Sequence, residues 1–257
     1  MNCKNIVFII LFSFVLHLQA QTEIIAHRGF WKTEGSAQNS IAALLKANED
    51  KVYGSELDIW LSSDGVPVVN HDAYVTLNGE KLTVQDTPAS VLAQVQLSNG
   101  EYLPTFESYL DAFEDCYDTK LIIEFKKHRT KYQEDELVEK VLKMVRDRNM
   151  QERVEYISFG LNFVVKTIHL NPLAIVYYLE GDLSPKVMRE IGAAGIDYHV
   201  SVIKRNPEWV EESHNLGLKV NVWTVNNPED IRQMIDLNVD YITTDDPLLV
   251  KDFLNTQ

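Results

Sequence analysis

Apolar residues along this chain repeat with two periods, and the switching between them lays out its elements. Glu23-Ile24-Ile25-Ala26 reads as a short buried strand that ends at His27-Arg28-Gly29. After the polar stretch Lys32 to Gln38, Asn39 or Ser40 can cap a helix whose Ile41, Leu44 and Leu45 form an apolar face. A second strand, Val52 to Ile59, follows. Asp64-Gly65 then signals a turn, and Val66 to Val69 runs from it towards His71-Asp72. Residues 73–103 show no long helical period. Asn78-Gly79 and Asn99-Gly100 mark turns there, so the stretch reads as small strands and loops with one helical turn near Pro88.

Regularity returns with a helix over Phe106 to Phe113 and a strand over Leu121 to Phe125. The spacing predicts a helix over 134–149, with Leu137, Val141, Met144 and Val145 inward. Beyond it, strands at 154–157, 174–179, 196–200, 218–223 and 239–243 alternate with helices at 161–170, 185–193, 207–216, 228–237 and 247–254. Ser184-Pro185, Asn206-Pro207, Asn227-Pro228 and Asp246-Pro247 each pair a capping residue with a proline, and their prolines lie 22, 21 and 19 residues apart. Proline suits the first helical position, where its missing N–H would go unpaired anyway. The spacing equals one helix, one strand and two short loops. Eight strands alternating with helices close most naturally into a (β/α)8 TIM barrel, here with a small insertion after strand two at about residues 60–103. A doubly wound sheet is disfavoured because no glycine-rich turn follows the first strand.

Composition adds three points. Lys4, the apolar run Ile6 to Leu16 and Ala20 before a polar Gln21 describe a secretory signal peptide over residues 1–20, which places the mature chain, 21–257, in the periplasm or outside the cell. The run is too short for a spanning helix, which takes about 20 apolar residues. Only Cys116 survives cleavage, so no disulfide can form within the chain. The formal charge of −14 becomes about −15 without Lys4, and argues against nucleic acid or an anionic membrane as partner.

The chemistry gathers at strand ends, where such a barrel carries its active site. Glu56 and Asp58 alternate with Leu57, so both carboxylates face one way, their Cα atoms roughly 6.6 Å apart. Two acids on a strand flanked by apolar residues are costly unless compensated, and a hard divalent cation compensates them best. Glu124 adds a third oxygen ligand. Arg28 and Lys126 bring positive charge suited to a phosphate. His27 and His71 can share general acid–base work, with Asp72 orienting His71. A phosphodiester fits this inventory. Each residue also has a plainer reading: a structural His27, a Glu124–Lys126 ion pair, a core Trp223, Asp245 as a helix start, and His128, His169 and His214 as surface or packing residues. His199, at the end of strand six, could enter the mouth.

Taken in order, the set His27-Arg28-Gly29, Asn39-Ser40, Glu56-Leu57-Asp58, Asp64-Gly65, His71-Asp72, Pro104-Thr105-Phe106-Glu107, Ile123-Glu124-Phe125-Lys126, Ile157-Ser158-Phe159, Val222-Trp223-Thr224-Val225-Asn226 and Thr244-Asp245 resembles the glycerophosphodiester phosphodiesterase family over nearly the whole mature chain. The resemblance implies a TIM barrel, with His27 and His71 as the acid–base pair and Glu56, Asp58 and Glu124 as ligands to one calcium or magnesium ion. It implies Arg28 and Lys126 on the phosphate, with Trp223 against the substrate. The implied reaction hydrolyses a glycerophosphodiester to an alcohol and glycerol 3-phosphate, with the glycerol hydroxyl or water as nucleophile.

Two departures stand out. Ala37-Gln38-Asn39-Ser40 replaces the family's Pro-Glu-Asn-Thr, so Gln38 cannot supply the usual negative charge. Ala73-Tyr74-Val75-Thr76 replaces an Arg-Thr-rich segment. The competing functions are a phospholipase D-like or lyase activity on an intact lipid or surface polymer, and a non-catalytic phosphate-binding barrel.

Overall fold

The computed structural model describes residues 21–256, so the signal-peptide reading of residues 1–20 lies outside the described residues. The chain runs β1 (Glu23–Ala26), α1 (Ile41–Glu49), β2 (Gly54–Leu61), β3 (Pro67–Val69), β4 (Tyr74–Leu77), β5 (Glu80–Thr83), α2 (Ala89–Leu92), α3 (Phe106–Phe113) and β6 (Lys120–Phe125). It continues through α4 (Lys131–Asp147), β7 (Val154–Ser158), α5 (Leu161–Leu170), β8 (Val176–Tyr178), α6 (Pro185–Ile191) and β9 (Gly195–His199). Last come α7 (Val200–Arg205), α8 (Glu208–Asn215), β10 (Lys219–Trp223), α9 (Pro228–Asp236), β11 (Tyr241–Thr244) and α10 (Pro247–Asn255).

β1, β2, β6, β7, β8, β9, β10 and β11 pair in parallel, each with the next, and β11 returns to β1. The ring is the expected eight-stranded barrel with helices outside. Alternation along each strand separates two cores. Leu57, Ile59 and Leu61 of β2 face the helix layer, as do Leu121, Ile123 and Phe125 of β6. Ile25, Ile122, Ile157, Tyr177, Leu179 and Tyr241 fill the barrel interior. The excursion after β2 has a third core, Trp60, Val68, Val75, Val84, Leu92 and Leu103, beneath the β4–β5 hairpin. β3 pairs antiparallel with the end of β2 and so carries His71 back towards the barrel mouth.

Side-chain caps start the helices as the sequence suggests. Ser40, Thr105, Thr130, Asn227 and Asp246 each accept a hydrogen bond from a first-turn N–H. Pro185, Pro228 and Pro247 sit in first turns. The helix expected over 207–216 is present as α8, one residue shorter at each end and without a side-chain cap. The Asn206 side chain donates back to the Val202 carbonyl at 3.0 Å, closing the short helix α7 that the sequence reading missed, and α8 begins beyond Pro207. Among the described residues, no helix is long and apolar enough to cross a membrane, and Cys116 is a buried free thiol.

Candidate active site

β1 ends in a backbone hook. Arg28 adopts a left-handed φ of 56°, and Gly29 follows at 74°. A Cβ on Gly29 would come within 2.6 Å of the Ala43 Cβ, so this position needs glycine both for its φ and for its packing on α1. Left-handed backbone at a non-glycine residue costs about 1–3 kcal/mol. The Arg28 N–H donates to Glu56 Oε2 at 2.6 Å, which ties the hook to β2. Asn39, also left-handed, holds Asp58 from both sides: its Nδ2 donates to Oδ2 at 2.8 Å and its Oδ1 accepts from the Asp58 N–H at 3.2 Å.

Neighbouring parallel strands then bring the acids together. Asp58 of β2 stands in register with Glu124 of β6. One carboxylate oxygen each from Glu56, Asp58 and Glu124 lies within 4.8 Å of the others, and all three residues are buried. Lys126 places its Nζ 3.0 Å from Asp58 Oδ1 and 2.8 Å from Glu124 Oε1, the latter outside hydrogen-bond angles. Burial, then the charges of Asp58 and Glu124, push the Glu56 carboxyl well above the usual range. Burial and Asp58 likewise push Glu124 up to about 7. Burial would also raise Asp58, but Lys126, His71, Asn39 and Arg28 outweigh it and hold that carboxyl below its ordinary value.

Glu56 Oε1 is buried and lacks a hydrogen-bond partner, and Glu124 Oε1 meets only the Lys126 ammonium. Buried acceptors of this kind normally find one. Three hard oxygen donors, one of them with an unpartnered buried atom, suit a hard cation that keeps positions open for substrate.

The histidines flank this centre. His27 donates from Nδ1 to Asp245 Oδ1 at 2.7 Å, and Asp245 is held in turn by Asn226 Nδ2 at 2.7 Å and Trp31 Nε1 at 3.4 Å. Burial would raise Asp245, yet His27 and Asn226 hold its carboxyl down to about 2. Asp245 is thus the orienting partner of His27 and not the helix start; Asp246 caps α10. His71 Nδ1 meets Asp72 at 2.8 Å, and burial lowers the His71 pKa. His27, Arg28, Glu56, His71, Glu124, Lys126 and Trp223 line one cavity of about 120 Å³, with Asp58 behind them. Trp223 donates from Nε1 to the Asp197 carbonyl at 3.0 Å and meets Phe159 and His199 edge-on.

Other expectations resolve plainly. His199 caps α7 and packs on Trp223. His128 is a packing residue with a fixed tautomer: Nδ1 donates to the Lys126 carbonyl at 2.7 Å, while Nε2 accepts from the Leu61 N–H at 2.9 Å. It thereby laces the ends of β2 and β6. Gln38 Oε1 accepts from Arg28 Nη1 at 2.8 Å, so a neutral amide stands where the resemblance calls for a carboxylate. Sequence reasoning overlooked Asp197, although the order Gly195-Ile196-Asp197-Tyr198-His199 puts an acid on the inward face of a barrel strand. Asp197 is buried in the cavity lining, and burial pushes its carboxyl well above the usual range.

Comparison with known proteins agrees with this geometry. The model of the glycerophosphoryl diester phosphodiesterase family matches residues 27–249. A glycerophosphodiester phosphodiesterase of Caldanaerobacter subterraneus subsp. tengcongensis is 33% identical over 238 residues, covering 88% of this chain and 95% of that protein. One from Bacillus altitudinis is 28% identical over 239 residues, covering 88% of this chain and 95% of its own length. The crystal structure of a glycerophosphodiester phosphodiesterase from Parabacteroides distasonis superposes with a TM-score of 0.89 at 42% identity, covering 93% of this chain and 98% of that one. The chain belongs to the glycerophosphoryl diester phosphodiesterase family.

Proposed function

We propose that this enzyme hydrolyses small glycerophosphodiesters, such as deacylated phospholipids, to an alcohol and glycerol 3-phosphate with the help of one calcium or magnesium ion. The observation that carries the reading is the convergence of Glu56, Asp58 and Glu124 within 4.8 Å beside a cavity that His27, Arg28, His71 and Lys126 also line. The charges support it. Three carboxylates against Arg28 and Lys126 leave one negative charge, and a divalent cation with a phosphodiester monoanion brings the site to neutrality. The bound ion would polarise the phosphoryl oxygens and offset charge building on them.

The side chains divide the remaining work. Arg28 and Lys126 hold the phosphate, Arg28 through a guanidinium that Gln38 braces from outside. Asp245 keeps the His27 Nδ1 proton in place, so Nε2 is the atom His27 offers the substrate. Asp72 does the same for His71. Of the two imidazoles, one takes the proton of the attacking hydroxyl and the other protonates the leaving alkoxide. A p-nitrophenolate leaving group needs no acid, so the histidine-to-alanine variant that regains activity on such a diester identifies the acid. Trp223 walls the substrate. A groove of about 440 Å³ shares Arg28 and His71 with the catalytic cavity and runs under Tyr74 and Gln96, which supports seating the alcohol group there.

The geometry does not favour an intact lipid. Of the large apolar side chains in residues 73–103, only Tyr74 and Tyr102 are exposed, and each carries a hydroxyl. The leader pattern of residues 1–20 supports an exported enzyme, which cell fractionation tests. The central experiment assays the protein on a panel of glycerophosphodiesters, with chelator and then calcium or magnesium restored. Release of glycerol 3-phosphate that chelator stops and one ion restores is expected. Chelator insensitivity, or unchanged activity in His71→Ala, overturns the mechanism.

A further inference from the structure

One buried acid in the cavity takes no part in the chemistry above. Asp197 sits on β9, two residues before the strand ends at His199, and is 1% exposed. Its Oδ1 has no hydrogen-bond partner. It stands apart from the cluster of Glu56, Asp58 and Glu124, whose oxygens converge within 4.8 Å, so it is not one of that ligand set. Asn221 is the polar side chain that meets the Asp197 carboxyl. Asn221, in register with Asp197 on β10, exchanges hydrogen bonds with Thr243 Oγ1 at 2.9 and 3.1 Å. Ile157, Leu179 and Phe159 make the nearby wall apolar. Asp197 Oδ1 is thus a free acceptor beside the apolar part of a cavity of about 120 Å³, on β9 and outside the acid cluster of β2 and β6.

We infer that Asp197 is a specificity residue that accepts a hydrogen bond through Oδ1 from the terminal hydroxyl of the substrate's glycerol unit. The inference rests on the phosphodiesterase reading above and names the part of the substrate that the cavity recognises. A substrate diol has two hydroxyls. The one beside the phosphate lies within reach of phosphorus as a nucleophile, which leaves the terminal one for recognition. In either protonation state Oδ1 keeps a lone pair for it. A buried acceptor left unpaired by a substrate lacking that hydroxyl is penalised, so the pocket rejects the deoxy analogue more strongly than shape alone would.

The test compares kcat/KM for glycerophosphocholine and for the matching diester of 1,2-propanediol, which keeps the hydroxyl beside the phosphate and lacks the terminal one. The wild type is expected to prefer the glycerol diester by roughly 100-fold. In Asp197→Ala that ratio collapses towards unity, whereas Asp197→Asn, which retains a carbonyl acceptor, keeps most of it. Asp197→Ser carries the same comparison where the alanine variant does not fold. Equal losses on both diesters, leaving the ratio where it was, make Asp197 a structural residue and overturn the assignment, as does a wild type with no preference. A wild type that cleaves neither diester while still binding calcium or magnesium overturns the phosphodiesterase reading itself, and this assignment with it.

Discussion

Lys126 Nζ stands 3.0 Å from Asp58 Oδ1, with both side chains almost wholly enclosed. Burial alone would lower the lysine's pKa, but Asp58 and Glu124 reverse that and raise it, so the ammonium stays charged. It partly neutralises the acids and also faces the cavity where phosphate would lie. Lys126→Met should move two measurements in opposite directions. Turnover of a glycerophosphodiester should fall about 100-fold, the usual loss for a positioned charge at a transition state. Calcium affinity by titration calorimetry should rise, because three carboxylates then compete for one fewer cation.

Glu56 and Glu124 set how the cation-free protein responds to pH. Their carboxyls are raised in the fold, Glu124 to about 7, against an ordinary value of about 4.3 in the unfolded chain. Between those values the native state holds more protons, so stability present at low pH is lost as pH rises through the native pKa. A bound cation takes the protons' place. The rise in melting temperature on adding calcium or magnesium should therefore grow from pH 5 to pH 8. At about 100 times Kd, ligand linkage is worth about 2.7 kcal/mol. For a chain of this size that amounts to roughly 5–10 °C, at about 2–4 °C per kcal/mol. Glu56→Gln should raise the melting temperature without cation and shrink the cation's effect.

The pairing of His27 with Asp245 predicts a kinetic defect separate from substrate binding. Asp245→Asn keeps the shape but removes the charge that fixes the imidazole, so kcat should drop by about 100-fold with KM little changed. The native carboxyl, at about 2, lies below its unfolded value. Its contribution to stability is therefore present above about pH 4 and lost as pH falls through about 2. Acid unfolding of Asp245→Asn should lack that component.

Gln38 offers a site where one negative charge can be added beside Arg28. Gln38→Glu puts a carboxylate 2.8 Å from the Arg28 guanidinium, where a neutral amide now accepts. The guanidinium should bind anions less tightly, and inhibition by added glycerol 3-phosphate, the proposed product, should weaken by about five-fold, equivalent to about 1 kcal/mol. Unchanged inhibition would show that Arg28 does not meet the phosphate.

The barrel was legible because its signals are local. Strand and helix periods, caps and first-turn prolines each occupy a few residues, and β1, α3 and α5 fall where the pattern puts them. The acids of β2 and β6 were legible through alternation. Harder to read were residues whose meaning depends on a distant partner. Asp245 and Asp246 are adjacent aspartates before a proline, and nothing local says that the first meets His27 while the second caps α10. Asn206-Pro207 does precede a helix, α8, but the Asn206 amide turns back to Val202 and does not cap it. Asp197 is a single charge in a short strand, visible only once strand alternation is applied to every residue of that strand.

The ring closes where β11 meets β1, and the His27–Asp245 pair spans that seam across 218 residues of sequence. Strands from one half of the chain cannot form this pair alone. The acids of β2 and β6 lie on adjacent strands in the first half of the chain, whereas the partner of His27 comes only after the last strand. The finished ring is thus what orients the first histidine: a chain truncated before Asp245 lacks the clasp on His27 Nδ1.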